Sequence, residues 1–138
     1  MTTQDEVLAS RLLTWLQVAH EAVWTYPVIA ARVAARESAG RDAHRRHRVV
    51  RDALVERLLA LGVEAPAGLA AYPVPAVESA DDADPVAQLL ERRATAAALG
   101  AVGASEGRLR AWCLDELQAS AEASIRWGDS PTALPGLD

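Results

Sequence analysis

The sequence predicts an all-α protein: a four-helix bundle made of two antiparallel helical hairpins joined by a long crossover. Three observations carry that prediction. The 138 residues include 30 alanines, four tryptophans and no phenylalanine, which suits close-packed helices and not sheets, where β-branched and aromatic residues are favoured. Apolar residues recur at steps of three and four in four separate segments. A long aperiodic stretch rich in proline divides those segments two and two. The length fits one domain, residues 1–138, with a core that needs neither disulfide nor metal.

The first helix is expected over about residues 5–38. It opens with "TQDE", where Thr3 and Glu6 have capping-box spacing. Leu8, Leu12, Trp15, Ala19, Ala22, Tyr26, Ile29 and Val33 then form one inward stripe. Pro27 removes one hydrogen bond and predicts a kink rather than a break. "ESAGRD" is expected to make the turn, with Gly40 just past the helix end. The second helix, about 42–61, carries Ala43, His47, Val50, Leu54, Leu58 and Leu61 inward and stops at Gly62. The short link makes the pair an antiparallel hairpin.

Residues 62–84 lose all periodicity and hold Pro66, Pro73 and Pro75. Extended, they can span the roughly 30 Å of a twenty-residue helix. Their apolar "LAAYPVPAV" predicts a strap along the bundle, since a free linker is more polar. The third helix is expected over 85–101, with Asp84 as N-cap and Pro85 at its first position. A fourth, over 105–127, carries Leu109, Cys113, Leu117 and Ala121, and 128–138 form a tail. Hairpin, long crossover, hairpin is the connectivity of a ferritin-like four-helix bundle.

The net charge of −5 argues against a nucleic-acid partner, which calls for a basic footprint. All 14 basic residues are Arg, and Lys and Asn are absent, a bias expected of a GC-rich bacterial genome. "MTTQDEVLAS" has neither the basic nor the apolar region of a secretion signal. The apolar-rich run Leu12–Ala35 is interrupted by His20, Glu21 and Arg32, against a membrane span. The single Cys113 fits a reducing cytoplasm and a small apolar core position.

Carboxylate-bridged di-metal bundles need a Glu-x-x-His on each of two helices. No His here follows a Glu at that spacing: His20 has Gln17, His44 has Arg41 and His47 has His44. At about 100° per residue, Ala19 centres the inward stripe of the first helix. His20 then lies on its flank as an unligated surface or interface histidine, and Glu21 faces solvent or a partner chain. His44 and His47 are one turn apart, but no third ligand stands nearby in sequence.

Glu91 and Glu116 fall at mid-helix near their inward faces, where two carboxylates can hold a cation or do acid–base work. Arg46 and Arg57 lie close to the inward stripe of the second helix, and their guanidinium forks suit such carboxylates. The expectation is an Arg–Glu network at the level where ferritins hold iron. In the run "RDAHRRHRVVRDALVER", Arg41, Arg45 and Arg48 share an outer face with Asp52 and Glu56, a solvated mixed-charge surface. Trp24 projects outward beside Val28 and near Leu13, which predicts a homodimer through the outer face of the first helix.

The stretches "AHEAVWTYPVIAARV", "AHRRHRVVRDAL", "AYPVP", "LLERRATAAA" and "RWGDSPTALPGL" together resemble a bacterial ferritin-like domain family of unknown function. The resemblance implies the bundle fold and lends no activity. It also implies a Glu directly before the His of the first helix, where this chain has Ala19, and a shorter second-helix motif than the one holding His47. No catalytic, cofactor or metal residue is assigned. The leading expectation is a metal-free, non-catalytic bundle with a structural, partner-binding or oligomerising role, without cofactor. The alternative is an iron or manganese storage or oxidase protein with a degenerate site around Glu91, Glu116 and His47.

Overall fold

The structure, a computed structural model, describes residues 1–137. It contains α1 (Thr3–Arg32), α2 (Glu37–Ala60), α3 (Ala80–Ala104) and α4 (Gly107–Arg126), with a short 3-10 turn at Ala34–Arg36. There is no strand among the described residues, and none of their helices is long and apolar enough to cross a membrane. α1 packs on α2 and on α3, and α3 packs on α4.

Local chemistry sets the ends. The capping box is one residue earlier than the spacing of Thr3 and Glu6 suggests: Thr2 Oγ1 accepts from the Asp5 amide at 3.1 Å, and Asp5 Oδ2 accepts from the Thr2 amide at 3.0 Å. α1 runs unbroken past Pro27 and ends at Arg32, because Val33 turns extended (φ −121°, ψ 95°) while its side chain stays buried. The expected first helix to residue 38 is thus cut short, and the turn lies at Val33–Arg36.

Gly40 is not the turn residue. It sits buried in α2, where a Cβ would come within 3.1 Å of Ala30 Cβ and 3.2 Å of the Tyr26 carbonyl. Its missing side chain lets the two helices approach closely. α2 ends where the sequence places its stop: Gly62 (φ 73°) follows the last turn, with Gly62 N to Leu59 O and Val63 N to Leu58 O both 2.9 Å.

α3 begins at Ala80, ahead of the expected 85, because Ser79 accepts from the Asp82 amide and acts as N-cap. Asp84 is therefore not the cap. It holds Arg36 in a two-point ion pair at 2.7 and 2.9 Å, tying the α1–α2 turn to α3. Pro85 lies inside α3, and the helix continues through Gly100 and Gly103 to Ala104.

The crossover lies along the helices. Val63 and Ala65 pack on the core, Val77 is buried in it, the ring of Tyr72 lies 6.3 Å from that of Trp24, and His20 Nε2 bonds the Pro66 carbonyl at 2.9 Å.

The core forms two apolar clusters. One holds Leu8, Leu12, Trp15, Leu16, Leu54 and Leu58 with Cys113 and Leu117, and Trp15 meets Trp112 at 5.1 Å. The other holds Ala22, Tyr26, Ile29, Val33, Val77, Leu90 and Trp127. Among these positions, the inward stripes supply the α1 and α2 members apart from Leu16, together with Val33, Cys113 and Leu117; Val77, Leu90 and Trp127 join the core from outside any expected stripe.

Gly40→Ala is expected to lower unfolding free energy by about 1–2 kcal/mol in urea denaturation, since overpacking at the α1–α2 contact outweighs the gain in helix propensity. Gly103→Ala, with open space at its Cβ, is expected to be neutral or slightly stabilising. Equal effects at the two sites would contradict the close-approach account.

Candidate functional site

Between the clusters lies a layer of buried polar side chains, with Glu91 of α3 at its centre. Glu91 is 0 % exposed, Tyr26 0 % and His47 1 %. The Tyr26 hydroxyl donates to Glu91 Oε1 at 2.8 Å, and His47 Nε2 donates to the same oxygen at 2.6 Å. Arg46 Nη2 reaches both carboxylate oxygens, and its Nη1 donates to Ser120 Oγ of α4 at 3.2 Å. One carboxylate thereby links all four helices.

To donate to Glu91, His47 must carry its proton on Nε2. The 3.0 Å approach of Arg46 Nη2 to that nitrogen then reflects two donors converging on one oxygen. His47 Nδ1 is buried without a partner, a cost of about 1–3 kcal/mol that the rest of the network must offset. Tyr26 stacks on His47 at 5.5 Å and on Trp127 at 5.8 Å, which fixes both rings.

Burial pushes the Glu91 carboxyl upward. The hydrogen bond and charge of His47, the charge of Arg46 and the hydrogen bond of Tyr26 together outweigh it, and the group is held below its ordinary value. The Tyr26 phenol is pushed well above its ordinary value, first by burial and then by the Glu91 charge, so it stays a donor.

The expected Arg–Glu network is therefore present, with Arg46 as its cation. Arg57 is exposed and takes no part. Glu116 is half-buried, has no ion pair among the described residues, and is raised by burial against the opposing charges of Arg46 and His47. His44 does not join His47 at Glu91: it lines a groove with Pro27, Ala31 and Arg41 at the α1–α2 hairpin. Among the described residues, no group of three or more His, Cys, Asp or Glu side chains is placed to hold a metal ion.

His20 and Glu21 do not face open solvent. His20 anchors the crossover through Pro66, and Glu21 pairs with Arg93 of α3 at 2.7 Å. Arg41, Arg45, Arg48, Asp52 and Glu56 are all exposed on α2, but Arg41 pairs with Glu37, Arg45 with Asp42 and Asp52 with Arg51, not with one another. Cys113 is buried beside Ser105, and burial pushes its thiol up. Trp24 is 40 % exposed, while Leu13 and Val28 are partly covered by the core clusters.

Sequence reasoning missed Tyr26 as a ligand of Glu91, although it stands in the inward stripe. The available signal is the rule that a buried Tyr hydroxyl finds a partner. Ser120 gives no such signal.

Fold and site define an all-α domain of four helices centred on a buried, hydrogen-bonded carboxylate. The chain belongs to the family described as a domain of unknown function (DUF4439), whose model matches residues 12–138. It is also similar to the crystal structure of a conserved hypothetical protein, rv2844, from Mycobacterium tuberculosis. Identity is 28 %, coverage 96 % of this chain and 99 % of that one, and the TM-score is 0.84. No curated protein matches the chain.

A carboxyl held below its ordinary value stabilises the folded state fully above the unfolded carboxylate range. That contribution is lost as pH falls through the folded value. Glu91→Gln is expected to unfold about 3 kcal/mol more easily near neutral pH, and to lose less stability than the wild type as pH drops below about 4. Urea titrations at stepped pH measure both, and parallel acid profiles would contradict the assignment.

Proposed function

We propose that this domain is a ferritin-like bundle whose mid-level holds an ion-pair network in place of a metal centre. In this reading it is a cytoplasmic, non-catalytic protein that acts as a structural or partner-binding module. The observation that carries the reading is the full occupation of Glu91. Both its oxygens already accept hydrogen bonds, and one donor is the permanent cation Arg46. A metal ion there would have to displace a guanidinium and two further donors from a site closed to solvent.

A second reading, a degenerate iron or manganese site around Glu91, Glu116 and His47, draws on the half-buried Glu116, which has no ion pair among the described residues, and on the orphaned His47 Nδ1. It is the weaker one, because the cation Arg46 acts on Glu91 and Glu116 alike.

The partner in the proposed reading is a second copy of the chain, meeting at the outer face of α1 around Trp24. Its exposed ring lies beside Tyr72 of the crossover, and such aromatics anchor interfaces.

Two measurements test these readings. Protein purified without chelator is expected to contain no stoichiometric iron or manganese, and its thermal midpoint is expected to be unmoved by either ion. A rise of several degrees that Glu91→Ala abolishes would establish the metal reading instead. Sedimentation of the wild type is expected to show a dimer that Trp24→Ala shifts toward monomer; a monomer at high concentration rules the dimer out.

A further inference from the structure

We propose that the cleft between the start of α2 and the end of α4 binds a small multivalent oxyanion, with Arg46 and Arg126 as its charged walls. Because α1 packs on α2 and α3, and α3 on α4, the side of the bundle between α2 and α4 is closed mainly by side chains. Near the 3-10 turn those side chains are small. Ala39 and Ala43 of α2 and Ala123 of α4 leave a cleft of about 560 Å3, bordered by Trp127. That volume falls in the range of small-molecule sites.

Charge selects the ligand. Arg36, Arg46 and Arg126 line the cleft against one acid, Asp42, in a protein of net charge −5. Asp84 balances Arg36, Glu91 balances Arg46, and Asp42 is itself held by Arg45. Arg126 is left exposed, with no ion pair among the described residues. Its role at the end of α4 accounts for a favourable position but supplies no counter-charge.

Arg46 is the second wall. Its side chain is 21 % exposed, and only Nη1 and Nη2 are engaged by the protein. Guanidinium forks bind phosphate and carboxylate oxygens alike, so a phosphorylated or a polycarboxylate molecule has the chemistry required. The first turn of α2 turns its positive end to the cleft and α4 its negative end; these oppose each other, and the arginines decide.

Isothermal titration of the full chain with pyrophosphate and with citrate, at ionic strength matched with chloride, tests the site. Saturable one-to-one binding of at least one anion is expected. Binding of pyrophosphate alone assigns the phosphate source, and of citrate alone the carboxylate source. Arg126→Ala is expected to weaken binding at least about tenfold, with partial recovery in Arg126→Lys. Ala39→Glu keeps an acid near a helix start, where it favours folding, and is expected to abolish binding. No saturable binding of either anion, or unchanged affinity in Arg126→Ala and Ala39→Glu, would overturn the proposal. Either result leaves the account of Glu91 untouched, since Glu91, His47 and Tyr26 lie behind the cleft and do not line it.

Discussion

The carboxylate of Glu91 lies at zero exposure between two apolar clusters, and it is tolerable there only because donors converge on it from α1 and α2. A buried charge without partners costs several kcal/mol. The network therefore works as a condition on assembly. α1 must deliver the Tyr26 hydroxyl, α2 must deliver His47 and Arg46 side by side, and α4 must bring Ser120 to the far end of the same guanidinium. A slide of α1 or α2 by one turn would remove a donor, of α4 the hydroxyl that accepts from Arg46, and of α3 the carboxylate itself, while leaving apolar contacts partly satisfied. Apolar stripes of alanine and leucine discriminate poorly between such registers; a hydrogen-bonded charge discriminates strongly.

The same constraint explains how the two core clusters divide. On one side, Trp15 and Trp112 fill the volume that small residues leave. On the other, Tyr26 stacks between His47 and Trp127, so aromatic bulk carries the polar layer into the apolar one. Arg36 and Asp84 repeat the arrangement near the surface, fixing the α1–α2 turn against α3. Gly40 lets α1 and α2 approach closely at Ala30 and at the carbonyl of Tyr26, whose ring stacks on His47.

The number of helices and their inward faces were legible in the sequence, because a stripe recurring every three to four residues depends only on helix geometry. Boundaries were less so. Ser79 and Asp84 are both good caps by composition, and the choice between them falls to Arg36, a residue distant in sequence. Gly40 reads as a turn residue locally, yet its role is a tertiary approach that only the neighbouring helix reveals. The helical wheel placed His20 and Glu21 off the inward face correctly but misread what lies there. α1 has the crossover on one flank and α3 on another, so off-stripe residues meet protein, at Pro66 and Arg93.

The candidate site was half legible for a related reason. Glu91, Arg46 and His47 stood out as polar groups near inward faces, whereas Tyr26 looked like ordinary core. Sequence spacing can say that a side chain points inward; it cannot say which groups from other helices arrive at the same height. Arg46 illustrates the consequence. Its head neutralises Glu91 in the dry interior while part of its side chain lines the cleft between α2 and α4. The residue that closes the interior to water also forms part of the surface beside it. Glu91 cannot release that guanidinium without becoming a poorly compensated buried charge, so Nη2 stays committed to the interior. With Nη1 held by Ser120 and Nη2 by Glu91, Arg46 offers the cleft its charge and its remaining N–H bonds, and Arg126 carries the positive charge there that has no ion pair among the described residues.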